Sequence, residues 1–413
     1  MYNFIMLLYS FGVRTAALFS DKVKKMWQGE QESIGILREK ANQKDPYIWF
    51  HAASLGEFEQ GRPLIERIRH DHPEYKILLT FFSPSGYEVR KNYKGADIVC
   101  YLPLDTKRNA KQFLNTVKPS MAFFIKYEFW YNYLHILSER SVPVYSISSI
   151  FRPNQIFFKW YGREYAHVLK CFTRFFVQNE ESKQLLNNIN IKNVEVVDDT
   201  RFDRVLEIKQ AAKELPVVKS FVSNAKHVFV AGSSWLPDEQ IFIPYLNEHK
   251  EWKIIIAPHV ISKDHLAQIM RLLKGHKVAL YTETTVKSAP QADVLIIDCF
   301  GLLSSIYRYG QIAYVGGGFG AGIHNTLEAA VWGVPVFFGP NNEKFKEAQG
   351  LKACGDGHEI KDFDDFQFQM NRVIESISQG KEPGKQAEAY VMSHTGATEK
   401  IIKACFSKGD NDN

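Results

Sequence analysis

Short apolar segments alternate with segments of helical periodicity, and this alternation occurs in two successive series. The first series contains YIWFHAAS, KILLTFF, DIVCYLP, MAFFIK, VPVYSIS and RFFVQ, and the second contains HVFVAGSS, KIIIAPH, KVALYT, DVLIIDC, IAYVGGG and VPVFFGP. Uniformly apolar strands separated by helices are typical of parallel sheets with helices on both faces. The sequence therefore predicts an α/β protein of two doubly wound, Rossmann-like domains facing a central cleft, where open α/β folds bind their ligands.

The two series meet around residues 194–205, where VEVVDDTRFDRV leads into a charged helical segment. Because 413 residues suit two domains rather than one core, we place the domain boundary there. The predicted N-terminal domain is 21–205 and the predicted C-terminal domain is 206–390. A membrane-associated helix is predicted over 1–20, and a C-terminal helix with a polar tail over 391–413.

Composition and charge narrow the class of protein. The chain is 45% hydrophobic and 23% charged, which is typical of globular proteins and excludes general disorder. Its net charge of +5 suits an anionic partner such as a phosphate or an anionic lipid, and we predict no nucleic-acid partner. The five cysteines are scattered and odd in number, which favours a reducing compartment without a thiol metal site.

The N-terminal segment is unusually apolar. Its apolar run is broken by Arg14, is followed by three lysines within residues 22–25, and covers about 16 residues, short of the roughly 20 that span a bilayer. No basic region precedes it, so a cleaved signal peptide is not expected. Asn3 and Ser10 fall on the same helical stripe as Arg14, which predicts a helix lying in the membrane interface. An amphipathic helix that packs on its own domain is the alternative.

The segment HAASLGEFEQGRPLIERI, residues 51–68, passes from an apolar strand through a glycine into a helix. It places Glu57 near a helix N-terminus at the carboxyl edge of a parallel sheet, a common ligand-binding position. Two interpretations remain open. Ser54 and Glu57 have the spacing of a capping box, in which they satisfy each other's backbone N–H groups, and Glu57 also has the position of a functional carboxylate.

The segment YVGGGFGAGIHNTLEAAVWGVPVFFGP, residues 314–340, joins a glycine-rich loop to the start of a predicted helix. Glycines such as Gly317 and Gly318 let a ligand approach the backbone, and free N–H groups at a helix start bind phosphate. Asn325 is predicted to cap this helix, and Glu328 to accept hydrogen bonds from ribose hydroxyls. A purely structural glycine turn is the alternative.

Three further strand ends in the second half are predicted to contribute to the same nucleotide site. They occur in VFVAGSSW, IIIAPHV and IIDCFGLL. Small residues, a histidine and loop backbone groups at these ends suit a phosphate, a sugar and a base. The candidates are Ser233, Ser234, Pro258, His259, Phe300, Gly301 and Leu302.

Several segments resemble, in the same order along the chain, the 3-deoxy-D-manno-octulosonic acid (Kdo) transferases. They are HAASLGEFEQGRPLIERI, IKYEFWYN, DTRFDRV, GSSW, APH and GGGFGAGIHNTLEAAVWGVPVFFGP. The resemblance implies a glycosyltransferase of the GT-B fold that takes part in lipopolysaccharide assembly. It also implies transfer of Kdo, with inversion, from CMP-Kdo to the phosphorylated, acylated lipid A precursor at the cytoplasmic face of the inner membrane.

Matched residue by residue, the resemblance makes Glu57 the general base and gives Glu128 and Arg201 the role of supporting the transition state. For the donor, it implies a CMP-binding pair at Pro258 and His259, a loop that contacts the base, and an Asn-x-x-Glu nucleotide motif. The complete set of predicted donor-binding residues is Ser233, Ser234, Pro258, His259, Phe300, Gly301, Leu302, Gly317, Gly318, Asn325, Thr326, Leu327 and Glu328.

Two positions depart from the family pattern. Residues 257–259 read Ala-Pro-His where many members have Pro-Arg-His, so one phosphate-binding cation is absent or comes from elsewhere. Tyr131 stands where a proline usually follows the tryptophan. These departures concern the detailed contacts to the donor.

The expected mechanism needs no metal. We expect helix-start N–H groups to keep Glu57 ionised rather than to raise its pKa, and N–H groups of the glycine loop to stabilise the departing CMP. The acidic pair Asp198 and Asp199 is predicted to belong to the hinge turn, and the HDH sequence at residues 70–72 to be a solvated helix end. The sequence therefore predicts neither a metal nor a cofactor.

The acceptor is expected to meet basic and aromatic residues of the first half, with IFRPNQIFFKWYG forming part of an apolar approach. The basic candidates are Arg62, Arg67, Arg69, Arg152, Lys159 and Arg163. A GT-B enzyme that uses a UDP-sugar on another lipid-linked acceptor is the first alternative. The second is a membrane-bound nucleotide-binding protein without catalysis.

Overall fold

The computed structural model describes residues 2–406, so the predicted polar tail, SKGDNDN at residues 407–413, lies outside the described residues. Contacts divide the chain into two compact units, one formed by Met1–Asp203 with Gly396–Asn413 and the other by Arg204–Thr395. The predicted α/β class is confirmed, because each unit contains a seven-stranded sheet whose neighbouring strands are parallel.

The sheet of the first unit has the strand order β3-β2-β1-β4-β5-β6-β7. Strands β2 and β3 follow on one side of β1 and strands β4 to β7 on the other, so the strand order reverses between β1 and β4. This is the doubly wound arrangement, in which ligands bind at the point of reversal. The strands are β1 Tyr47–Ala52, β2 Lys76–Phe81, β3 Ile98–Tyr101, β4 Met121–Ile125, β5 Val144–Ser149, β6 Arg174–Val177 and β7 Val194–Val196.

Helices cover both faces of this sheet. The last helix of the chain returns to the first unit, where Ile401 joins a cluster that contains Leu64 and Ile68 of the third helix. The helices are α1 Tyr2–Ala16, α2 Asp21–Lys40, α3 Leu55–Asp71, α4 Pro84–Arg90, α5 Lys107–Val117, α6 Tyr131–Glu139, α7 Arg163–Ala166, α8 Glu180–Asn188 and the C-terminal helix Ala397–Phe406, which is α18 in chain order.

Strand β1 explains why the first unit has two cores. All six of its residues are buried, and successive side chains point to opposite faces. Trp49 packs against Phe113 on one face, with ring centroids 5.0 Å apart, and Phe50 packs against Phe123 on the other, at 4.8 Å. A strand that is apolar at every position is therefore buried on both sides, as expected for a parallel sheet.

The sheet of the second unit has the order β10-β11-β9-β8-β12-β13-β14 and reverses between β8 and β12. Its strands are β8 His227–Ser234, β9 Trp252–Pro258, β10 Val278–Leu280, β11 Val294–Ile296, β12 Ile312–Val315, β13 Val336–Phe338 and β14 Gly357–Glu359. The remaining helices are α9 Thr200–Ala211, which contains the boundary between the units, α10 Pro216–Phe221, α11 Leu236–Glu248, α12 Lys263–Leu272, α13 Leu303–Ile306, α14 Leu327–Ala330, α15 Lys346–Cys354, α16 Phe363–Ser378 and α17 Lys385–Ser393.

Helix α1 has two different faces. On one face Val13 is buried and the Tyr2 hydroxyl donates a hydrogen bond to Asp105 at 2.6 Å, so the helix packs on the first unit. The opposite face is apolar and exposed, and contains Phe4, Leu7, Leu8 and Phe11. Across residues 2–406, no helix combines the length and the apolar character that crossing a bilayer requires.

Candidate active site

Glu57 lies in the first turn of α3, just after β1. Its Oε2 accepts a hydrogen bond from the backbone N–H of Ala53 at 2.5 Å, and the carboxylate also accepts one from the backbone of Ser54. The Ser54 side chain makes no capping hydrogen bond, although its backbone is extended as a cap requires. Only the glutamate half of a capping box is present, so capping by Ser54 does not explain the motif.

The pKa of Glu57 is raised to about 7. Burial is the largest cause and the negative charge of Glu128 is the second, and together they outweigh the backbone hydrogen bonds and Lys126. The expectation that N–H contacts leave this pKa unraised is therefore wrong, because it considered only the local helix start. A carboxylate with a pKa near neutrality is well matched to general-base catalysis at physiological pH.

Glu128 follows β4 in the segment that leads into α6. Its Oε2 accepts a hydrogen bond from Trp130 Nε1 at 2.6 Å and lies 3.1 Å from His51 Nε2. The Glu128 side chain is 14% exposed, whereas His51 is completely buried. Trp130 Nε1 and His51 Nε2 thus both contact the same carboxylate oxygen of Glu128.

A buried chain of polar groups leads to Glu128. Trp49 Nε1 donates to Thr80 Oγ1 at 2.8 Å, and Thr80 Oγ1 lies 2.9 Å from His51 Nδ1. An indole N–H can only donate, and the Thr80 hydroxyl has two neighbouring acceptors, His51 Nδ1 and the Phe50 carbonyl oxygen at 3.3 Å. His51 Nε2, at 3.1 Å from Glu128 Oε2, completes this buried chain of polar contacts from Trp49 to the carboxylate.

Arg201, in the first turn of α9, is held by Asp199. Its Nε donates to Asp199 Oδ2 at 3.0 Å and its backbone N–H to Oδ1 at 2.9 Å. Asp199 is buried and also accepts hydrogen bonds from Gln60 and Gln178. Arg201, followed by its hydrogen bonds, is the main reason that the pKa of Asp199 is lowered despite burial.

Three of the basic candidates for the acceptor, all on α3, form ion pairs with nearby acidic residues. Arg62 pairs with Glu59 and Glu66, Arg67 pairs with Asp71, and Arg69 pairs with Asp97. The other three are near, in the sequence, an exposed aromatic segment in which Trp160 is 82% exposed and Tyr161 is 63% exposed. They are Arg152, Lys159 and Arg163.

In the second unit, the glycine-rich loop forms one wall of a cavity of about 460 Å³. Asp238 fixes this loop, because its carboxylate accepts hydrogen bonds from the backbone of Gly317 at 3.0 Å and from the Tyr314 hydroxyl at 2.9 Å. Gly317 has a φ of +94°, and a Cβ at Gly318 would lie 2.5 Å from the backbone of Gly339. The cavity lining consists of Trp235, Pro237, Asp238, His259, Gly317, Phe319, Gly320, Ala321, Gly322 and His324.

Two imidazoles and one indole stack within this cavity. The His259 ring packs on Trp235 and on His324, with centroid separations of 4.7 and 4.3 Å. Trp235 Nε1 donates to His324 Nε2 at 3.3 Å. Burial, followed by the charge of His259, lowers the pKa of His324 to about 4, and burial lowers the pKa of His259. These two imidazoles are the only cation-forming side chains among the lining residues.

The serine and proline candidates lie at the ends of β8 and β9. Ser234 is completely buried, and its hydroxyl donates to Glu239 at 2.8 Å. Ser233 has a φ of +51°, and Pro258 is buried. The carbonyl of Ser234 accepts a hydrogen bond from the backbone of His259 at 2.9 Å, so the two strand ends are joined directly.

The remaining candidates lie in two groups. Asn325 donates to Glu328 Oε1 at 3.2 Å, and Glu328 Oε2 accepts a hydrogen bond from the Ser304 hydroxyl. In the other group, Phe300 is 81% exposed and Gly301 has a φ of +90°. Neither group lines the cavity of about 460 Å³, although Leu302 immediately precedes α13, the helix that contains Ser304.

The helix predicted after the glycine loop differs from the one observed. Helix α14 contains only Leu327–Ala330, and its N-cap position is Thr326, not Asn325. The Asn325 side chain still accepts a hydrogen bond from the backbone of Leu327 at 3.1 Å. Gly333, with a φ of +72°, turns the chain toward β13 soon afterwards, which limits the helix to a single turn.

Sequence reasoning did not assign roles to His51, Trp130, Trp235 or His324. His51 was detectable, because it is a polar residue within an otherwise apolar buried strand. The partnership between Trp235 and His324 was not, since the two residues are 89 positions apart in the sequence.

Comparisons with known proteins agree with these features. Residues 28–204 match the protein-family model described as "3-Deoxy-D-manno-octulosonic-acid transferase (kdotransferase)". The 3-deoxy-D-manno-octulosonic acid transferase of Aquifex aeolicus is 27% identical over 343 residues, which cover 81% of this chain and 87% of that protein. The enzyme of the same name from Rickettsia bellii is 27% identical over 307 residues, or 72% of each chain.

Among solved structures, UDP-GlcNAc 2-epimerase from Neisseria meningitidis superposes with a TM-score of 0.59 and 14% sequence identity, covering 86% of this chain and 98% of that one. At this identity the similarity concerns the fold alone. Together with the two parallel sheets, it confirms the predicted GT-B architecture of two doubly wound, Rossmann-like units.

Proposed function

The chain is a glycosyltransferase related to the Kdo transferases, and we propose that it transfers Kdo from CMP-Kdo to the phosphorylated, acylated lipid A precursor lipid IVA. In this proposal the first unit binds the acceptor and the second binds the donor. The observation that carries the proposal is the carboxylate pair of the first unit, in which Glu57 has a pKa of about 7 beside Glu128. Two carboxylates in different environments are suited to different roles in one reaction.

Glu57 acts as the general base. It accepts the proton of an acceptor hydroxyl while the hydroxyl oxygen forms a bond to the anomeric carbon of Kdo. The bond from that carbon to the phosphate of CMP breaks on the opposite side, so the electron pair leaves with CMP and the anomeric configuration is inverted. A well-placed base of this kind commonly contributes 10²- to 10⁴-fold to the rate, as an order of magnitude.

Glu128 and Arg201 support this step electrostatically. The Kdo transition state develops positive charge near its ring oxygen, which the Glu128 anion stabilises. Arg201, oriented by Asp199, supplies a fixed cation for the anionic groups of the substrates.

The donor is held by the second unit. Backbone N–H groups of the glycine-rich loop and the neighbouring His259 are assigned to the phosphate, and Glu328 to the ribose hydroxyls. His259 belongs to the Ala-Pro-His segment, residues 257–259, that stands where many family members have Pro-Arg-His. A protonated imidazole there supplies the missing cation once an anion is bound, because the anion stabilises the imidazolium.

The membrane surface is the second partner. The exposed apolar face of α1, with Phe4 66% and Phe11 71% exposed, is suited to lie among the headgroups of the cytoplasmic leaflet of the inner membrane. The lysines at residues 22–25 then face anionic lipid. The exposed Trp160 and Tyr161 provide a second aromatic contact of the kind found at membrane interfaces.

Product analysis tests the proposal directly. The full chain is incubated with lipid IVA in mixed micelles and with CMP-Kdo generated in situ, and the lipid products are examined by mass spectrometry. The proposal predicts addition of Kdo and release of CMP. Parallel reactions contain UDP-hexoses instead of CMP-Kdo, and transfer from a UDP-sugar with no transfer from CMP-Kdo would overturn the proposal.

A further inference from the structure

A second cavity, of about 220 Å³, lies in the first unit beside Glu128. Seven of its eleven lining residues are aromatic, and three of the eleven, Tyr2, Met6 and Tyr9, come from helix α1. The complete lining is Tyr2, Met6, Tyr9, Phe82, Leu104, Asp105, Tyr127, Glu128, Phe129, Trp130 and Tyr165. The inner face of α1 therefore contributes to a cavity that is also lined by Glu128, a candidate catalytic carboxylate.

Helix α1 is fixed in this position by specific contacts. The Tyr2 hydroxyl donates to Asp105 Oδ2 at 2.6 Å, and the Tyr2 ring packs against Tyr131 and Tyr165, with centroid separations of 4.8 and 6.0 Å. Asn132 Nδ2 donates to Asn3 Oδ1 at 2.9 Å. These contacts are directional, so the wall formed by α1 has a defined shape.

Of the two carboxylates in the cavity lining, one has an open oxygen. Glu128 Oε2 is occupied by Trp130 and His51, as described above, whereas no hydrogen bond joins Glu128 Oε1 to any of residues 2–406. Asp105, the other carboxylate in the lining, accepts hydrogen bonds at both oxygens, from Tyr2 and from the backbone of Asn132. A ligand that enters the cavity thus meets aromatic faces and a single open carboxylate oxygen.

This combination of groups selects among ligand classes. An acyl chain would bury the Glu128 charge without giving it a hydrogen bond, which is costly. A sugar ring presents hydroxyl groups that donate to a carboxylate and C–H faces that pack on aromatic rings. Drug-sized ligands occupy pockets of roughly 300–1,000 Å³, so the observed 220 Å³ suits a single ring rather than a whole disaccharide.

We propose that this cavity binds one sugar ring of the acceptor, with a ring hydroxyl donating to Glu128 Oε1 and with helix α1 as a wall of the subsite. The inference rests on the proposed function, since it names the part of the acceptor that the first unit recognises. It also gives α1 two separate roles, because its inner face binds sugar while its outer face meets the membrane.

The test uses the full chain and a water-soluble probe, the phosphorylated glucosamine disaccharide without acyl chains. Binding is measured by saturation-transfer NMR, and transfer to lipid IVA is measured separately in micelles. Met6→Trp fills the cavity, and Tyr2→Ala removes part of its wall. The control is Phe368→Ala, at an exposed position of α16 that does not line the cavity.

We expect Met6→Trp and Tyr2→Ala to weaken disaccharide binding and to raise the KM for lipid IVA at least tenfold, with a smaller change in kcat. The control is expected to stay within about threefold of the wild type. Near-wild-type thermal stability of Met6→Trp separates blocking from unfolding. If Met6→Trp is folded and binds and transfers like the wild type, the sugar subsite is refuted while the proposed function stands. If the wild type binds the disaccharide but transfers no Kdo, the proposed function fails instead.

Discussion

Replacing His51 tests how the two carboxylates of the first unit are coupled. His51→Met removes the imidazole nitrogen Nε2, which lies 3.1 Å from Glu128 Oε2, and introduces an apolar side chain of similar length in the buried strand. His51→Gln retains an amide N–H that reaches the same carboxylate. Comparing the two variants therefore separates the loss of the hydrogen bond to Glu128 from the effect of a changed side-chain volume.

The magnitude follows from the hydrogen bond that is lost. Hydrogen bonds to charged groups contribute about 1.5–3 kcal/mol, so His51→Met lowers the equilibrium constant for the observed orientation of Glu128 by roughly 10- to 150-fold. Glu57 then experiences less negative charge, which is the second cause of its raised pKa, while burial, the first cause, remains. Its pKa should move from about 7 part of the way toward the ordinary value of 4.5.

The assay is the pH dependence of kcat/KM for CMP release. Glu57 must be deprotonated to act as a base, so activity rises with pH through its pKa, and the wild type should have an acid limb near pH 7. In His51→Met the maximum rate should fall by one to two orders of magnitude and the acid limb should move to lower pH. His51→Gln should keep the wild-type limb with a smaller loss of rate.

A purely structural role for His51 would lower the activity of His51→Met at every pH and leave the limb in place. That outcome would refute the coupling, as would an equal shift of the limb in His51→Gln. Thermal denaturation of both variants provides the folding control.

Three further predictions follow from the described residues. Burial raises the pKa of Glu57 from 4.5 to about 7, so between these values the folded state binds a proton that the unfolded state has lost, and the wild type loses stability as the pH rises. Relative to the wild type, Glu57→Gln should therefore gain up to about 3 kcal/mol of unfolding free energy between pH 4.5 and pH 8, measured by chemical denaturation. An unchanged difference between the two proteins would argue against the raised pKa. His259→Arg should strengthen CMP binding at pH 8 and reduce its pH dependence in calorimetric titrations, since the wild-type imidazole has a lowered pKa and needs acid to become a cation; weaker binding at every pH would count against a phosphate near this residue. The double change Phe4→Ser and Phe11→Ser on the exposed face of α1 should reduce flotation with anionic liposomes at least about tenfold. The melting temperature should stay within about 2 °C of the wild type. Unchanged flotation would show that α1 is not a membrane contact.

The sequence predicted the fold well because the relevant signal is local. Trp49 and Phe50 are neighbours in an uninterrupted apolar run, and such a run is stable only when both faces of the strand are covered. The glycine-rich loop is also a local signal in the sequence. Its glycines stand where the backbone requires them, because Gly317 adopts a left-handed conformation and Gly318 lies against the backbone of Gly339.

The electrostatics of the candidate site were not predictable in the same way. The pKa of Glu57 depends on burial by the whole unit and on Glu128, which lies 71 residues further along the chain. Helix-start contacts, which the sequence does reveal, oppose this shift but are weaker. The sequence predicted the amphipathic character of α1 but not the contacts of its inner face. The partners of Tyr2 and Asn3 come from segments more than 100 residues away.

The most direct test of the account compares Glu57→Gln with the wild type in single-turnover transfer of Kdo to lipid IVA, with CMP affinity measured on the same preparations. Glutamine keeps a hydrogen-bond acceptor for the backbone of Ala53 but cannot take up a proton at neutral pH. The account predicts that the transfer rate falls by at least about 100-fold while CMP binding and folding are retained. Transfer within a few-fold of the wild type would contradict the assignment of Glu57 as the base.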